Sequence, residues 1–407
     1  MCSIFGAIGL SIDEDMVGRI STRAKDRGRD GGLVQRFELQ GGYTLVLGNW
    51  RATPTTELEV SPLQPYEGIV HNGIIANDVE LGNLDGSVDS MILPQVIDRS
   101  SLEAVVDSVQ KIQGSYAMVI RAEATAFAVV NYKPLYLLKR GETIYFSSME
   151  RHLSSECSFG ERPGRVAPYT AVDLRSGETK PLPRRENNKA LVICSGGLDS
   201  TTVAYSLHEQ GYDISLLYFM YGCQAETQEL ETVRRIGQHL AVPVISQAID
   251  YTSLRGESPL LTDRQIADGI TGAEFASEWV PARNLVMLAY ATAYAEANNF
   301  TTLALGNNLE ESGSYPDNEE EFTTLFASVL DYAVAAGGRV KIVTPVGNLM
   351  KHEIVSLGHR LGVPYELTWS CYRGGEFHCG RCGPCFMRYT AFQRNNLQDP
   401  TIRELVV

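Results

Sequence analysis

Leu191-Val192-Ile193-Cys194-Ser195-Gly196-Gly197-Leu198-Asp199-Ser200 is the stretch on which the chain turns. It begins as a short apolar, β-branched run, which reads as a buried strand. Ser-Gly-Gly breaks the run, and Asp199 to Leu207 continue as an amphipathic helix that stops at Gly211. Strand, glycine turn and helix together build an anion site. Backbone N–H groups converge in the turn, the helix N-terminus adds partial positive charge, and Gly196 and Gly197 let a phosphate approach closely. Ser195 and Ser200 supply hydroxyl donors. Asp199 would repel phosphate by itself, and gains a use when Mg2+ lies between the two.

Downstream, strands and helices alternate. Strands are expected over 190–194, 213–219, 243–249, 301–306 and 340–343, and helices over 199–210, 225–240, 283–299, 319–336 and 350–361. That order predicts a doubly wound parallel sheet with ligands at the carboxyl ends of its strands. Tyr221-Gly222-Cys223-Gln224, Val280-Pro281-Ala282-Arg283-Asn284 and Ser314-Tyr315-Pro316-Asp317 all fall at or near such ends. Asp317 and Glu321 are four apart, so on one helix they would share a face. A helix cap beside a solvated acidic face is the competing reading. Cys371, Cys379, Cys382 and Cys385 supply four thiolates, enough for a closed tetrahedral zinc site of structural type, with an iron–sulfur cluster as the rival.

SGGLDS resembles the pyrophosphate loop of the ATP pyrophosphatases. With the Pro-Ala-Arg-Asn run, Tyr-Pro-Asp and the four cysteines, residues 190–407 resemble the 7-cyano-7-deazaguanine synthase family, whose members turn 7-carboxy-7-deazaguanine into the nitrile with ATP and ammonia. The resemblance implies ATP with Mg2+ at Ser195, Gly196, Gly197, Asp199 and Ser200, and substrate contacts at Arg283, Tyr315, Asp317 and Glu321. One departure is visible. The stand-alone synthases carry Tyr-Gly-Gln and then a histidine, whereas here Cys223 intervenes and no histidine precedes His239.

Before the loop the chain reads differently. Cys2, once the initiator methionine is removed, would pair a thiol nucleophile with its own α-amino base. Arg27-Gly28-Arg29-Asp30-Gly31-Gly32, Asn49-Trp50-Arg51-Ala52-Thr53, His71-Asn72-Gly73 and Val88-Asp89-Ser90 follow in order. This order resembles the class II glutamine amidotransferases, with Arg29 where that family usually has proline. The resemblance implies a four-layer α/β/β/α N-terminal-nucleophile sandwich. It makes Cys2 the nucleophile, Asn72 and the Gly73 N–H the oxyanion hole, Arg51 the clamp on the glutamine carboxylate and Asp89 the holder of its amino group. Taken singly, Asn72-Gly73 would also suit a hairpin turn. The expected division is an amidotransferase domain at 1–175, a proline- and charge-rich linker at 176–189 and the synthase-like domain at 190–407.

The bulk figures limit the function classes. A net charge of −14 argues against a broad electrostatic grip on nucleic acid, though a local basic patch remains compatible with it. No apolar run reaches the ~20 residues of a membrane span, and Met1-Cys2-Ser3-Ile4-Phe5-Gly6 has no basic leader region, so a cytoplasmic protein is expected. The eight cysteines cluster for metal and catalysis rather than for disulfides. The leading expectation is a glutamine-dependent amidotransferase of the fused, archaeosine-forming type. It would send ammonia from Cys2 by an internal path to the 7-cyano group of a free base, or of a tRNA or DNA nucleotide, to give a formamidine. Nitrile synthesis from the acid is the alternative. Asparagine synthetase shares the two-part plan but leaves the four cysteines unexplained, and a non-catalytic binder of modified nucleic acid should lack glutaminase activity. A homo-oligomer is compatible with either reaction.

Overall fold

The computed structural model describes residues 2–53, 62–83, 88–270, 278–335 and 337–406. The chain forms two compact units, the first ending at Arg184 and the second beginning at Arg185.

The first unit is built from strands β1 (Ser3–Gly9), β2 (Gly31–Glu38), β3 (Thr44–Arg51), β4 (Ile69–Ile75), β5 (Gly114–Arg121), β6 (Ala126–Val130), β7 (Tyr136–Arg140), β8 (Thr143–Ser147), β9 (Gly164–Arg165), β10 (Thr170–Asp173) and β11 (Thr179–Pro181). They make two antiparallel sheets, β2-β3-β1-β8-β7-β9 and β11-β10-β6-β5-β4. Period-two alternation sorts the side chains. Ile4, Ile8, Leu45 and Leu47 of one sheet meet Val70, Ala117, Val119 and Ala128 of the other in the central core. Phe5, Ala7 and Val46 on the opposite face pack under helix α1 (Glu14–Ala24). Ile69, Met118 and Ile120 pack under α2 (Leu93–Val96) and α3 (Leu102–Val109). A fourth helix, α4 (Glu150–Ser154), adds Leu153 to the α1 layer. The result is the expected α/β/β/α order.

Two expectations change here, and the stretch after Val88 takes a form of its own. It makes a 3-10 turn, Asp89–Ile92, followed by the single turn of α2. Pro94 has no N–H with which to continue a longer helix. Asn72 and Gly73 lie inside β4 rather than in a hairpin turn. The segment expected as a linker carries β11, which pairs with β10, so the first unit extends past 175.

The second unit has one five-stranded parallel sheet of β12 (Lys189–Ile193), β13 (Asp213–Met220), β14 (Val244–Ala248), β15 (Thr302–Ala304) and β16 (Lys341–Val343), ordered β14-β13-β12-β15-β16. Both faces of the central strands are covered, so their middles are largely apolar. Ala190, Val192, Ile214 and Leu216 pack on α5 (Leu198–Glu209), α6 (Glu226–Leu240), α10 (Lys351–Arg360) and α11 (Gly383–Arg394). Leu191, Leu217 and Leu303 pack on α7 (Arg283–Ala297) and α9 (Glu320–Ala333). A short α8 (Leu309–Ser312) lies between these two. The strand order reverses between β12 and β15, which is where such folds open a ligand crevice.

Candidate functional site

In the second unit the loop after β12 is held in an open hairpin. Gly196 has φ +77, and a Cβ there would come within 2.5 Å of Thr232, so only glycine fits. The Ser195 N–H donates to the Ser200 hydroxyl at 3.2 Å, and the Gly197 N–H points to the Ser195 hydroxyl at 3.4 Å. A cavity of about 260 Å3 opens above it, lined among others by Ser195, Asp199, Arg283, Tyr315, Lys351 and Tyr372.

Lys351 is the main residue that sequence reasoning missed. Its ammonium donates to Asp199 at 2.6 Å and to Glu311 at 2.7 Å, with 8% of its side chain exposed. Burial disfavours the charge, but the two carboxylates outweigh it and hold Lys351 protonated above its ordinary range. Burial also pushes the Asp199 carboxyl up to about 6, although Lys351 pulls it down. One Asp199 oxygen accepts no hydrogen bond among the described residues, and is available to a cation. A signal was present. A lysine in the first turn of a helix opposes the dipole, so Lys351 at the start of α10 needed a reason.

Arg283 and Tyr315 line this cavity, and Arg283 contacts the Tyr221 hydroxyl at 3.4 Å. The Asp317–Glu321 pairing does not form. Asp317 sits in a 3-10 turn, Glu319 is extended (ψ 147) and α9 starts only at Glu320. Asp317 accepts from the Asn284 N–H at 3.2 Å, capping α7, and lines a small recess beside the main cavity. Glu321 is exposed. A second missed group is Glu229, on the cavity wall, accepting from the Tyr218 hydroxyl at 3.0 Å. Burial pushes its carboxyl up to about 7.

The four cysteines converge. Their sulfur atoms all lie within 4.8 Å of one another, with Cys379–Cys385 at 3.9 Å and Cys382–Cys371 at 4.0 Å. A tetrahedron with Zn–S of ~2.3 Å has sulfur atoms roughly 3.8 Å apart, so a single ion fits this set. A four-iron cube would need the thiolates spread wider. Nearby, Arg388 and Asp399 form a fully buried pair at 2.8 Å, and Arg388 also donates to the Thr368 hydroxyl at 2.6 Å and the Tyr365 carbonyl at 2.9 Å. These bonds fix the 365–370 segment that walls the cavity.

In the first unit, Cys2 is half-buried at the head of β1. Arg51 is buried at the end of β3 and donates to the Pro62 carbonyl at 3.1 Å, which also accepts from Tyr66 at 2.9 Å. The Tyr66 hydroxyl is pushed up to about 12 by burial, and senses the charges of Arg51, Cys2 and Asp89 together. Asp89 accepts from the Ile75 N–H at 2.7 Å and from the Ser90 N–H and hydroxyl at 2.7 and 2.9 Å. Ser90 in turn lies 2.8 Å from Nδ1 of His71, whose charged form is disfavoured by burial. Asn72 is fully buried, and neither of its amide atoms has a partner among the described residues. A Cβ on Gly73 would fall 1.8 Å from the Ser115 carbonyl oxygen. Glycine is thus obligatory beside Asn72.

The second unit thus joins a parallel sheet, the Ser195-Gly196-Gly197 turn at the end of its central strand and a four-cysteine cluster beside one cavity. Residues 189–396 match the family described as Queuosine biosynthesis protein QueC. A protein of Sulfolobus acidocaldarius named 7-cyano-7-deazaguanine synthase is 39% identical over 98% of this chain and 99% of its own length. One of that name from Methanothrix thermoacetophila is 40% identical over 52% of this chain and 97% of its own. Among solved structures, the glutamine phosphoribosylpyrophosphate amidotransferase of B. subtilis aligns over 99% of this chain at 13% identity with a TM-score of 0.37. The chain belongs to the 7-cyano-7-deazaguanine synthase family. No helix among the described residues is long and apolar enough to cross a membrane.

Proposed function

We propose that this chain makes 7-cyano-7-deazaguanine from 7-carboxy-7-deazaguanine, using ATP and ammonia that it releases from glutamine. The carrying observation is the intact loop with Asp199, Lys351 and Glu311 at the mouth of the cavity. A carboxylate must shed both oxygens to become a nitrile, and each needs activation as a leaving group. A formamidine made from a nitrile sheds nothing, so the formamidine expectation gives this loop no work. Full-length relatives named for nitrile synthesis support the same choice.

Ser195, Ser200 and the loop N–H groups would hold the phosphates, and Asp199 with its open oxygen would hold the Mg2+ that accompanies them. Lys351 would turn to the negative charge that grows as pyrophosphate leaves. Arg283, Tyr315 and Asp317 remain our candidates around the deazaguanine. Glu321 is the weakest of the set, because its side chain is turned to solvent. Cys371, Cys379, Cys382 and Cys385 would hold one structural Zn2+. At the other unit, the Cys2 sulfur bonds to the amide carbon of glutamine while the carbon–nitrogen bond breaks. The thiol proton leaves on ammonia, and water then releases glutamate. Asn72 and the Gly73 N–H would hold the oxyanion, Arg51 the α-carboxylate and Asp89 the α-amino group.

The test is mass spectrometry of products from glutamine with either deazaguanine, with and without Mg-ATP. Nitrile formed from the acid only with ATP supports the proposal. Formamidine formed from the nitrile without ATP would replace it. Two variants probe the parts. Lys351→Met is expected to lower ATP-dependent turnover about 10^3-fold and to destabilise by about 3 kcal/mol, since it strands two carboxylates. Turnover and a urea melt would check both. Asn72→Ala is expected to lower kcat for glutamate release between about 10^2- and 10^3-fold with KM little changed, read by a coupled glutamate assay.

A further inference from the structure

Asn49 is buried, 1% exposed, and neither its amide nitrogen nor its amide oxygen has a hydrogen-bond partner among the described residues. Asn72 is in the same condition. Unpartnered buried amides are costly and rare, and they ask for a ligand. Their placement is informative. Along β3, Leu45 and Leu47 face the central core and Val46 the helical layer, so alternation sends Asn49 and Arg51 inward beside them. In β1, Ile4 lies opposite Asn49 in register and faces inward with Ile8, so Cys2 continues that row. On the facing sheet Val70 points into the same core, and Asn72 follows it two residues on. Strands β3 and β4 pack against each other. Cys2, Arg51, Asn49 and Asn72 therefore line one end of the slot between the sheets.

We infer that Asn49 is a second amide of the glutamine site, touching the scissile carboxamide directly. Asn72 and Gly73 serve its oxygen. The remaining group is the carboxamide NH2, which needs an acceptor, and the Asn49 carbonyl oxygen supplies one. It orients the nitrogen away from the oxyanion hole before attack and accepts from ammonia as it departs. Asn49 itself makes and breaks no covalent bond. The inference rests on the glutaminase reading of Cys2.

The test uses the full-length protein and two probes of Cys2. A diazoketone analogue of glutamine reads substrate recognition, and iodoacetamide reads thiol reactivity alone. In Asn49→Leu, diazoketone labelling and kcat for glutamate release should fall tenfold or more. Iodoacetamide labelling should stay within twofold, and the melting temperature should hold or rise, because the unpartnered amide is gone. The smaller Asn49→Ser gives the same readouts should the leucine variant misfold. Unchanged diazoketone labelling, or a parallel fall in both labels, overturns the role: the first makes Asn49 structural, the second ties it to the thiol. A wild-type protein that neither reacts with the diazoketone nor releases glutamate overturns the glutaminase reading itself, a result distinct from either of these.

Discussion

Replacing Cys2 by alanine is expected to lower glutamine-dependent product formation at least about 10^4-fold, the scale seen when a covalent nucleophile is deleted. Ammonium salts at alkaline pH should restore turnover in the same variant, because the second unit carries its own loop, cavity and lysine. The two arms together matter more than either alone. Loss with glutamine and rescue by ammonia place the nitrogen-releasing step at the thiol. Glutamine use persisting at the wild-type rate would remove Cys2 from the reaction.

Loss of the Zn2+ proposed for the four cysteines should be as severe for stability. Cys371, Cys382 and Cys385 are fully buried among Tyr251, Leu260, Ile266, Val280 and Ile402. Arg373 reaches from the same segment to Asp268 and to the Ile266 carbonyl at 2.8 Å. The cysteine cluster thus packs against several otherwise irregular stretches. Structural zinc binding is worth about 10–16 kcal/mol in apparent terms, comparable with the whole stability of a domain. Cys382→Ser, or prolonged treatment with a strong chelator, should lower the melting temperature of the second unit by roughly 20 °C or more. Glutamate release at Cys2 should persist, since none of its residues is in that unit. One equivalent of zinc by elemental analysis is expected. Stoichiometric iron would favour the cluster.

Much of this was readable from residues alone, and the gaps have physical causes. The SGGLDS turn, the alternating second half and the cysteine spacing carry local signals, and the structure follows them closely. Helix α5 begins at Leu198, one residue before its expected start. Strand β2 was hidden because it opens on Gly31 and Gly32, which read as turn residues. The Asp317–Glu321 pair failed because helical spacing was assumed across Pro316-Asp317-Asn318, where the chain makes a separate turn. Lys351, against the α10 dipole, signalled only that a partner was needed and not which one, for a different reason. Its partners are 152 and 40 residues away, and no local pattern encodes such a contact. Asn49, by contrast, lies two residues before Arg51 on the same strand face, and period two could have found it.

The position of β1 bears on how the first unit comes into being. It lies mid-sheet between β3 and β8, and the Ile4 N–H bonds to the hydroxyl of Ser148, 144 residues along the chain. Closing such a loop is entropically costly and slow, and it precedes any reward from the contacts it makes. The strand that Cys2 heads therefore completes its pairing only after β8 has been formed. Folding intermediates would hold an unassembled thiol, unable to hydrolyse glutamine. On the proposed glutaminase reading, ammonia release would thereby be confined to chains whose first unit is complete.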